Sequence, residues 1–228
     1  MQASSHAPET TEVEFKLEVL GDRPAATLAA VERLDHLAGR RLGPSARHLI
    51  RDRYWDTPDG ALRASGAKLR LREIDGVALF TVKRGRSKSG GLFACRELEV
   101  PATPDGWRAV VEALACLGVV LPEADPASSD PAGRLAAAGL RVVQDRTTER
   151  VVRAVCCGDG SVVEMALDTT RYDFGDRTAE CHEIEVEQLG GGAATVRALG
   201  EALLTAFPDR LRPAKKGKFG RGLALSRN

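Results

Sequence analysis

Residues 12–19 read Glu-Val-Glu-Phe-Lys-Leu-Glu-Val, a strict alternation of charged and apolar side chains. Because successive side chains of a β-strand point to opposite sides, Val13, Phe15, Leu17 and Val19 share one face and the charges share the other. An ordinary surface strand with its charges in water has the same pattern. The choice between a solvated and an enclosed charged face therefore depends on the rest of the chain.

The alternation recurs on further segments of the chain. Residues 68–72 read Lys-Leu-Arg-Leu-Arg, which puts three bases on one face, and the Asp75-Gly76 pair predicts a hairpin turn into a returning strand at 77–83. Five more segments are predicted as strands: 48–57, 95–100, 140–155, 161–169 and 182–189. The sequence therefore predicts about eight strands.

Apolar stripes at helical spacing predict amphipathic helices between the strands. These helices are 24–39, 104–118, 132–138 and 193–207, with a helical end to the basic tail. Residues 84–91, rich in Gly and bases, are interpreted as a solvated hairpin tip, with a mobile phosphate-contacting loop as the alternative, and residues 122–131 as a linker. Residues 1–10 are predicted to be a disordered tail without a signal-peptide core, followed by a single domain over 11–228.

The composition of the 228 residues excludes several classes of protein. There is no run of eighteen apolar residues, so we expect no membrane span, and 33 bases against 32 acids with 4% aromatic residues argue against a nucleic-acid surface. The five cysteines contain no CxxC pair and the four histidines show no ligand spacing. We therefore expect a cytoplasmic protein whose metal, if any, is a hard ion held by carboxylates.

The helices decide which face of the strands is enclosed. If the apolar strand faces filled a barrel, the apolar stripes of the helices would have no partner. If these faces point outward, the helices cover them and the charges line the interior of a barrel. The interior is then expected to hold Glu12, Glu14, Lys16, Lys68, Arg70, Arg72, Lys83, Glu97, Glu99, Arg146, Glu164, Asp168, Glu183 and Glu185. A watered lining of both signs suits a polyphosphate bound to divalent cations.

The segment Glu12-x-Glu14-x-Lys16 resembles the ExExK signature of the CYTH superfamily, the triphosphate tunnel metalloenzymes. Later elements resemble that family in the same order: Tyr54–Thr57, Lys68–Arg72, Thr81–Lys83, Arg96–Glu99, Arg146, Glu164–Asp168, Glu183–Glu187 and Lys218-Phe219. The resemblance spans about residues 10–226. It implies an α+β fold: an eight-stranded antiparallel β-barrel, or tunnel, with a charged interior and flanking helices.

The resemblance also implies the hydrolysis of a triphosphate with Mg2+ or Mn2+, and it gives each matching residue a role. The metal ligands it implies are Glu12, Glu14, Glu183 and Glu185, together with Asp168. The phosphate-binding residues it implies are Lys16, Lys68, Arg70, Arg72, Lys83, Arg146 and Lys218. Glu14 and Lys16, with Glu97 and Glu99, are the implied catalytic residues.

Inorganic tripolyphosphate is the substrate that we expect first, and thiamine triphosphate or a nucleoside triphosphate comes next. A class IV adenylate cyclase, a polyphosphate-binding module without catalysis and an ordinary barrel with a solvated charged exterior remain alternatives. The expected partner is the small triphosphate alone, without nucleic acid or membrane, bound by a monomer or homodimer.

Overall fold

The structure, a computed structural model, describes residues 9–122, 130–158 and 160–227. The strands of this part of the chain are β1 (Thr10–Val19), β2 (His36–Leu37), β3 (Arg40–Asp56), β4 (Lys68–Ile74), β5 (Val77–Ser89), β6 (Leu92–Pro101), β7 (Arg141–Cys156), β8 (Val162–Asp173), β9 (Thr178–Gly190) and β10 (Leu211–Pro213). Its helices are α1 (Pro24–Glu32), α2 (Ala61–Ala64), α3 (Pro104–Ala115), α4 (Pro131–Ala137), α5 (Ala193–Ala206) and α6 (Lys218–Leu225).

The strands form one sheet in the order β10-β1-β6-β5-β4-β3-β7-β8-β9, with β2 paired to β3. Because β1 also pairs antiparallel with β9, the eight long strands close into an antiparallel β-barrel. The predicted eight-stranded barrel is therefore confirmed, and the short strands β2 and β10 are additions to it. The chain divides into two compact units.

The first unit is built from Ile50–Arg86 and Cys95–Arg146, with the described residues before Glu12. Its apolar core lies on one face of β4, β5 and β6, where Leu69, Phe80 and Leu98 are buried, and it includes the buried face of α3. Thr103 caps α3 by accepting a hydrogen bond from the backbone N–H of Gly106 at 3.2 Å. The apolar strand face in this unit is therefore covered by a helix, as predicted.

The second unit is built from Glu12–Leu49, Ser87–Ala94 and the chain from Thr147 onward. Its core joins the apolar faces of β1, β8 and β9 to the apolar stripe of α5. At their contact, a Cβ added to Gly200 of α5 would lie 2.3 Å from the ring of Phe15 on β1. Glycine is therefore the residue that allows this helix to approach the strand so closely.

Two boundary predictions are wrong for identifiable reasons. The helix predicted at 24–39 ends at Glu32, because Ala38 and Gly39, with φ angles of 50° and 73°, form a tight turn between β2 and β3. The predicted tip at 84–91 is largely strand, since β5 continues to Ser89. The turn is confined to Gly90 and Gly91, which both have positive φ, and the backbone N–H of Lys16 donates to the Gly91 carbonyl at 2.9 Å.

Two further expectations concern segments that the structure does not describe fully. Most of the predicted tail, residues 1–8, and most of the predicted linker, residues 123–129, lie outside the described residues. Among the described residues, none of the helices combines the length and the hydropathy that crossing a lipid bilayer requires. All five cysteines are free.

Candidate functional site

The second unit contains a cluster of three buried carboxylates, which we call the carboxylate cluster: Asp168, Glu183 and Glu185. The antiparallel register of β8 and β9 sets Asp168 opposite Glu183, and Glu185 follows two residues later on the same face of β9. This face is opposite to the one on which Ile184 and Val186 enter the apolar core. One oxygen from each carboxylate lies within 4.8 Å of the others, and all three residues are buried.

Lys16 extends the carboxylate cluster from β1. The register of β1 and β9 sets Lys16 opposite Glu185, and the Lys16 ammonium donates to the Glu185 carboxylate. The same ammonium lies 2.7 Å from Glu14 Oε2. Lys16 therefore contacts the carboxylate cluster directly, and Glu14 is connected to the cluster through Lys16.

Three further cations reach the carboxylate cluster from β7 and α6. Arg150 binds Asp168 with two hydrogen bonds of 2.8 and 2.6 Å and also donates to Glu185 at 2.6 Å. Lys218, the first residue of α6, places its Nζ 2.7 Å from both Asp168 Oδ2 and Glu185 Oε1 and also binds Glu183. Arg221, one helical turn further, lies 3.6 Å from Glu183.

These cations keep Asp168 and Glu185 charged although both are buried. Burial raises the pKa of Glu185, but the charges of Lys16, Lys218 and Arg150 outweigh burial and hold this pKa well below its ordinary value. The pKa of Asp168 is lowered in the same way by Arg150 and Lys218 against the effect of burial. Burial alone would lower the pKa of Lys16, but the charges of Glu14 and Glu185 outweigh burial and hold this pKa well above its ordinary value.

The carboxylate cluster fits a hard divalent cation. Mg2+ and Mn2+ prefer carboxylate oxygens as ligands, and the three buried carboxylates bring such oxygens close together. Glu12 and Glu14 do not belong to this group of mutually close carboxylates in the part of the chain that the structure describes. Of the five metal ligands that the resemblance implies, the structure thus brings three together directly, while Glu14 is connected through Lys16 and Glu12 is buried further along β1.

The first unit contains a second charged group, the arginine cluster, formed by Arg70, Arg72 and Arg146 around Asp52. Asp52 lies opposite Arg72 in the register of β3 and β4 and accepts two hydrogen bonds from it, at 2.8 and 3.1 Å. Arg146 of β7 donates to the same carboxylate at 2.9 Å, and Arg70 lies 3.7 Å from it. Three bases that the resemblance assigns to phosphate binding are thus arranged around one carboxylate.

Glu97 and Glu99 connect the arginine cluster to β5 and β6. Arg70 Nη2 donates to Thr81 at 3.1 Å and to Glu99 at 3.2 Å, and it lies 3.6 Å from Glu97. Lys83 pairs with Glu97 at 3.2 Å. The structure therefore brings both predicted catalytic carboxylates together with two of the predicted phosphate-binding bases.

The charge states in the arginine cluster also follow from the opposing effects of burial and neighbouring charges on each pKa. Burial raises the pKa of Asp52, but Arg70, Arg72 and Arg146 hold it well below its ordinary value. Lys68, opposite Lys83 in the register of β4 and β5, shows the reverse case, because burial lowers its pKa. Desolvation therefore destabilises its ammonium form, and Lys68 gives up its proton more readily than a lysine of ordinary pKa.

Three residues of these clusters were missing from the predicted set of site residues: Asp52, Arg150 and Arg221. The period-two rule contains a signal for the first two. Asp52 is two residues before the buried Tyr54 on β3, and Arg150 follows Arg146 by four residues on β7, so each shares a face with a residue of the family pattern. Arg221 is in a tail whose helix begins only at Lys218, and strand periodicity cannot find it there.

Asp56, which belongs to the Tyr54–Thr57 element, has a structural role. One of its carboxylate oxygens accepts hydrogen bonds from the backbone N–H groups of Thr57 at 2.9 Å and Leu62 at 3.0 Å. This arrangement fixes the turn into α2, so Asp56 stabilises the chain beside the arginine cluster.

Comparison with known proteins gives the family. The model of the CYTH domain matches residues 10–219, and the chain therefore belongs to the CYTH family. The solved structure of HpAC1 from Hippeastrum, described as a putative adenylyl cyclase with a dominant triphosphatase activity, is similar, with a TM-score of 0.61 and 20% sequence identity. The similarity covers 94% of this chain and 96% of that chain.

A putative adenylate cyclase from Bacillus halodurans is also similar, with a TM-score of 0.52 and 19% identity. This similarity covers 92% of the present chain and 97% of the other chain. At this level of identity the two structures establish the tunnel fold.

Proposed function

We propose that this protein hydrolyses a phosphoanhydride bond of a triphosphate, with inorganic tripolyphosphate as the first candidate substrate. One observation carries the proposal: buried carboxylates converge on the face of β8 and β9 opposite the apolar core, where lysines and arginines are interleaved with them. Burying so many charges is costly, and a purely structural role would be served better by apolar residues. A ligand that needs both signs of charge, such as a metal-bound polyphosphate, accounts for the arrangement.

In this proposal Asp168, Glu183 and Glu185 hold Mg2+ or Mn2+, with Glu12 and Glu14 as further candidate ligands. The bound metal would supply charge neutralisation for the phosphate oxygens and lower the pKa of a bound water. The carboxylates can serve as ligands without first losing a proton, because neighbouring cations keep the pKa values of Asp168 and Glu185 low.

The lysines and arginines of each cluster are candidates for binding phosphate oxygens. Guanidinium groups match phosphate oxygens with pairs of N–H donors, and lysines act as point charges. The candidates in the carboxylate cluster are Lys16, Arg150 and Lys218, and those in the arginine cluster are Lys68, Arg70, Arg72, Lys83 and Arg146. Their contribution is to hold the triphosphate in line for attack and to neutralise charge on the leaving phosphate.

Glu97 and Glu99 are the candidates for orienting the attacking water. In the hydrolysis, a water oxygen forms a bond to phosphorus, the bridging P–O bond breaks, and the leaving phosphate departs with the electrons of that bond. The water loses one proton, which a carboxylate near the bound phosphate can accept and pass to solvent. Glu97 and Glu99 hold Arg70 and Lys83 at the same time, so one group of residues would position both phosphate and water.

The test is phosphate release from a panel of tripolyphosphate, thiamine triphosphate and ATP, each with Mg2+, with Mn2+ and with EDTA. We expect metal-dependent release, fastest with tripolyphosphate. Glu185→Gln is the test variant. Glu180→Gln is its control, because Glu180 is an exposed carboxylate on the same strand. Conversion of ATP to a cyclic product would favour a cyclase, and binding of tripolyphosphate without release would favour a binding module.

A further inference from the structure

Lys218 forms an ion pair with each member of the carboxylate cluster. An ammonium group has three N–H donors and no acceptor. Its nitrogen lies 2.7 Å from Asp168 and 2.7 Å from Glu185, and it also binds Glu183. The number of donors therefore equals the number of carboxylates, and the lysine is almost fully buried, with 7% of its surface exposed.

The carboxylates that meet around Lys218 are the same ones that fit a divalent cation. An ammonium group and a metal ion would compete for the same oxygens, since both need them as close neighbours. We propose that the Lys218 ammonium, which contacts all three carboxylates, occupies the position of the metal in the metal-free protein, and that a divalent cation binds only by displacing this ammonium group. This inference rests on the proposed function only in taking the carboxylate cluster as the metal site.

The position of Lys218 in the chain gives the displacement a structural consequence. Lys218 is the first residue of α6, and its carbonyl accepts a hydrogen bond from the buried Tyr172 hydroxyl at 3.0 Å. That bond holds the backbone, so the side chain is the part that moves when a metal takes its place. The displaced ammonium is then available to a phosphate oxygen, and metal and triphosphate bind with positive cooperativity.

The test is the affinity of the substrate-free protein for Mn2+, measured from the electron paramagnetic resonance signal of unbound Mn2+. Removing a positive charge that contacts all three ligands must strengthen cation binding, so we expect Lys218→Met to bind Mn2+ about tenfold tighter than the wild type or more. The matched control is Lys216→Met, which removes the same charge from an exposed position two residues earlier and should leave the affinity unchanged. Adding Asp168→Asn to Lys218→Met should abolish the gain, which locates the ion in the carboxylate cluster.

Equal or weaker Mn2+ binding by a folded Lys218→Met variant would overturn the inference. If Lys218→Met is unfolded without metal, the melting temperature of Lys218→Gln decides: a larger increase on adding Mn2+ than in the wild type supports displacement, and an equal or smaller increase contradicts it. Because no substrate is present, these results are independent of turnover. If the wild type hydrolyses no triphosphate, the proposed function is refuted, but the competition between Lys218 and the metal can still hold. If the wild type is active and Lys218→Met shows no gain in Mn2+ affinity, only the competition is refuted.

Discussion

Asp52 and Arg146 form an ion pair of 2.9 Å in which each side chain is only 2% exposed. The same carboxylate also accepts two hydrogen bonds from Arg72. Guanidinium groups repel each other, and one carboxylate between them reduces that repulsion and fixes their orientation. Asp52 therefore positions the side chains that the arginine cluster would present to a phosphate.

Asp52→Asn should destabilise the fold and slow hydrolysis. Asn keeps the shape of the side chain but leaves buried guanidinium groups without their counter-charge, a change that costs about 3 kcal/mol at comparable buried pairs. We expect this loss in urea unfolding at pH 7, and a decrease of about tenfold or more in the rate of tripolyphosphate hydrolysis because the arginines are misplaced. Asp145→Asn is the control, since Asp145 pairs with Arg51 in a more exposed position, and it should change neither quantity measurably.

The stabilisation by Asp52 should depend on pH. Its pKa is depressed in the folded protein, so its contribution is complete above the unfolded value of about 3.9 and is lost as the pH falls towards the folded value. The difference in unfolding free energy between the wild type and Asp52→Asn should therefore shrink as the pH falls from 6 to 3.5. A difference that stays constant or grows over this range would show that the Asp52 pKa is not depressed.

The alternation in residues 12–19 was sufficient to predict which side chains share a face. Phe15 enters the apolar core of the second unit and Lys16 enters the carboxylate cluster, as a period of two requires. The helices were needed to decide whether the apolar or the charged face of the strands points into the barrel, because only their apolar stripes show that the apolar strand face must be covered. Strand alternation and helix stripes together predicted a charged interior that includes the three carboxylates and the three arginines, but not their division into two clusters or the place of Asp52.

Gly200→Ala tests that orientation through stability. Alanine is the better helix former by about 1 kcal/mol, so an exposed face of α5 would make this substitution stabilising. The added Cβ would instead meet the buried Phe15 ring, and overpacking of this kind costs about 1–3 kcal/mol. We expect a lower melting temperature for Gly200→Ala. Ala202→Gly, on a less buried part of the same helix, provides the reference for intrinsic propensity.

Glu14→Gln should abolish turnover while the fold persists. Glu14 lies 2.7 Å from the Lys16 ammonium and is a candidate metal ligand, so the neutral amide removes both a ligand charge and a partner of the lysine. We expect at least about a hundredfold decrease in kcat with an unchanged circular dichroism spectrum. Undiminished activity would remove Glu14 from the proposed machinery, whatever the behaviour of the other carboxylates.

The sequence could not predict the features that depend on neighbouring strands. The Gly- and base-rich residues from Arg84 to Ser89 have a loop composition, yet β5 extends through them because pairing within the sheet overrides local preference. Asp52 is one acid among several charges on β3, and only the register with Arg72 shows that it is the hub of the arginine cluster. Likewise, the contact of Lys218 with all three carboxylates joins residues more than thirty positions apart, which no local pattern reveals.

Glu185 offers the most direct test of the central claim, because it contacts Lys16, Arg150 and Lys218 and belongs to the carboxylate cluster. The measurement is the rate of orthophosphate release from tripolyphosphate as Mn2+ is titrated into metal-free wild type, Glu185→Gln and Glu180→Gln. We predict no release without metal, saturable release for the wild type and Glu180→Gln, and a loss of about a hundredfold or more for Glu185→Gln. Release that persists in EDTA, or that is the same for Glu185→Gln as for the wild type, would contradict the assignment of the carboxylate cluster as the metal site of a triphosphatase.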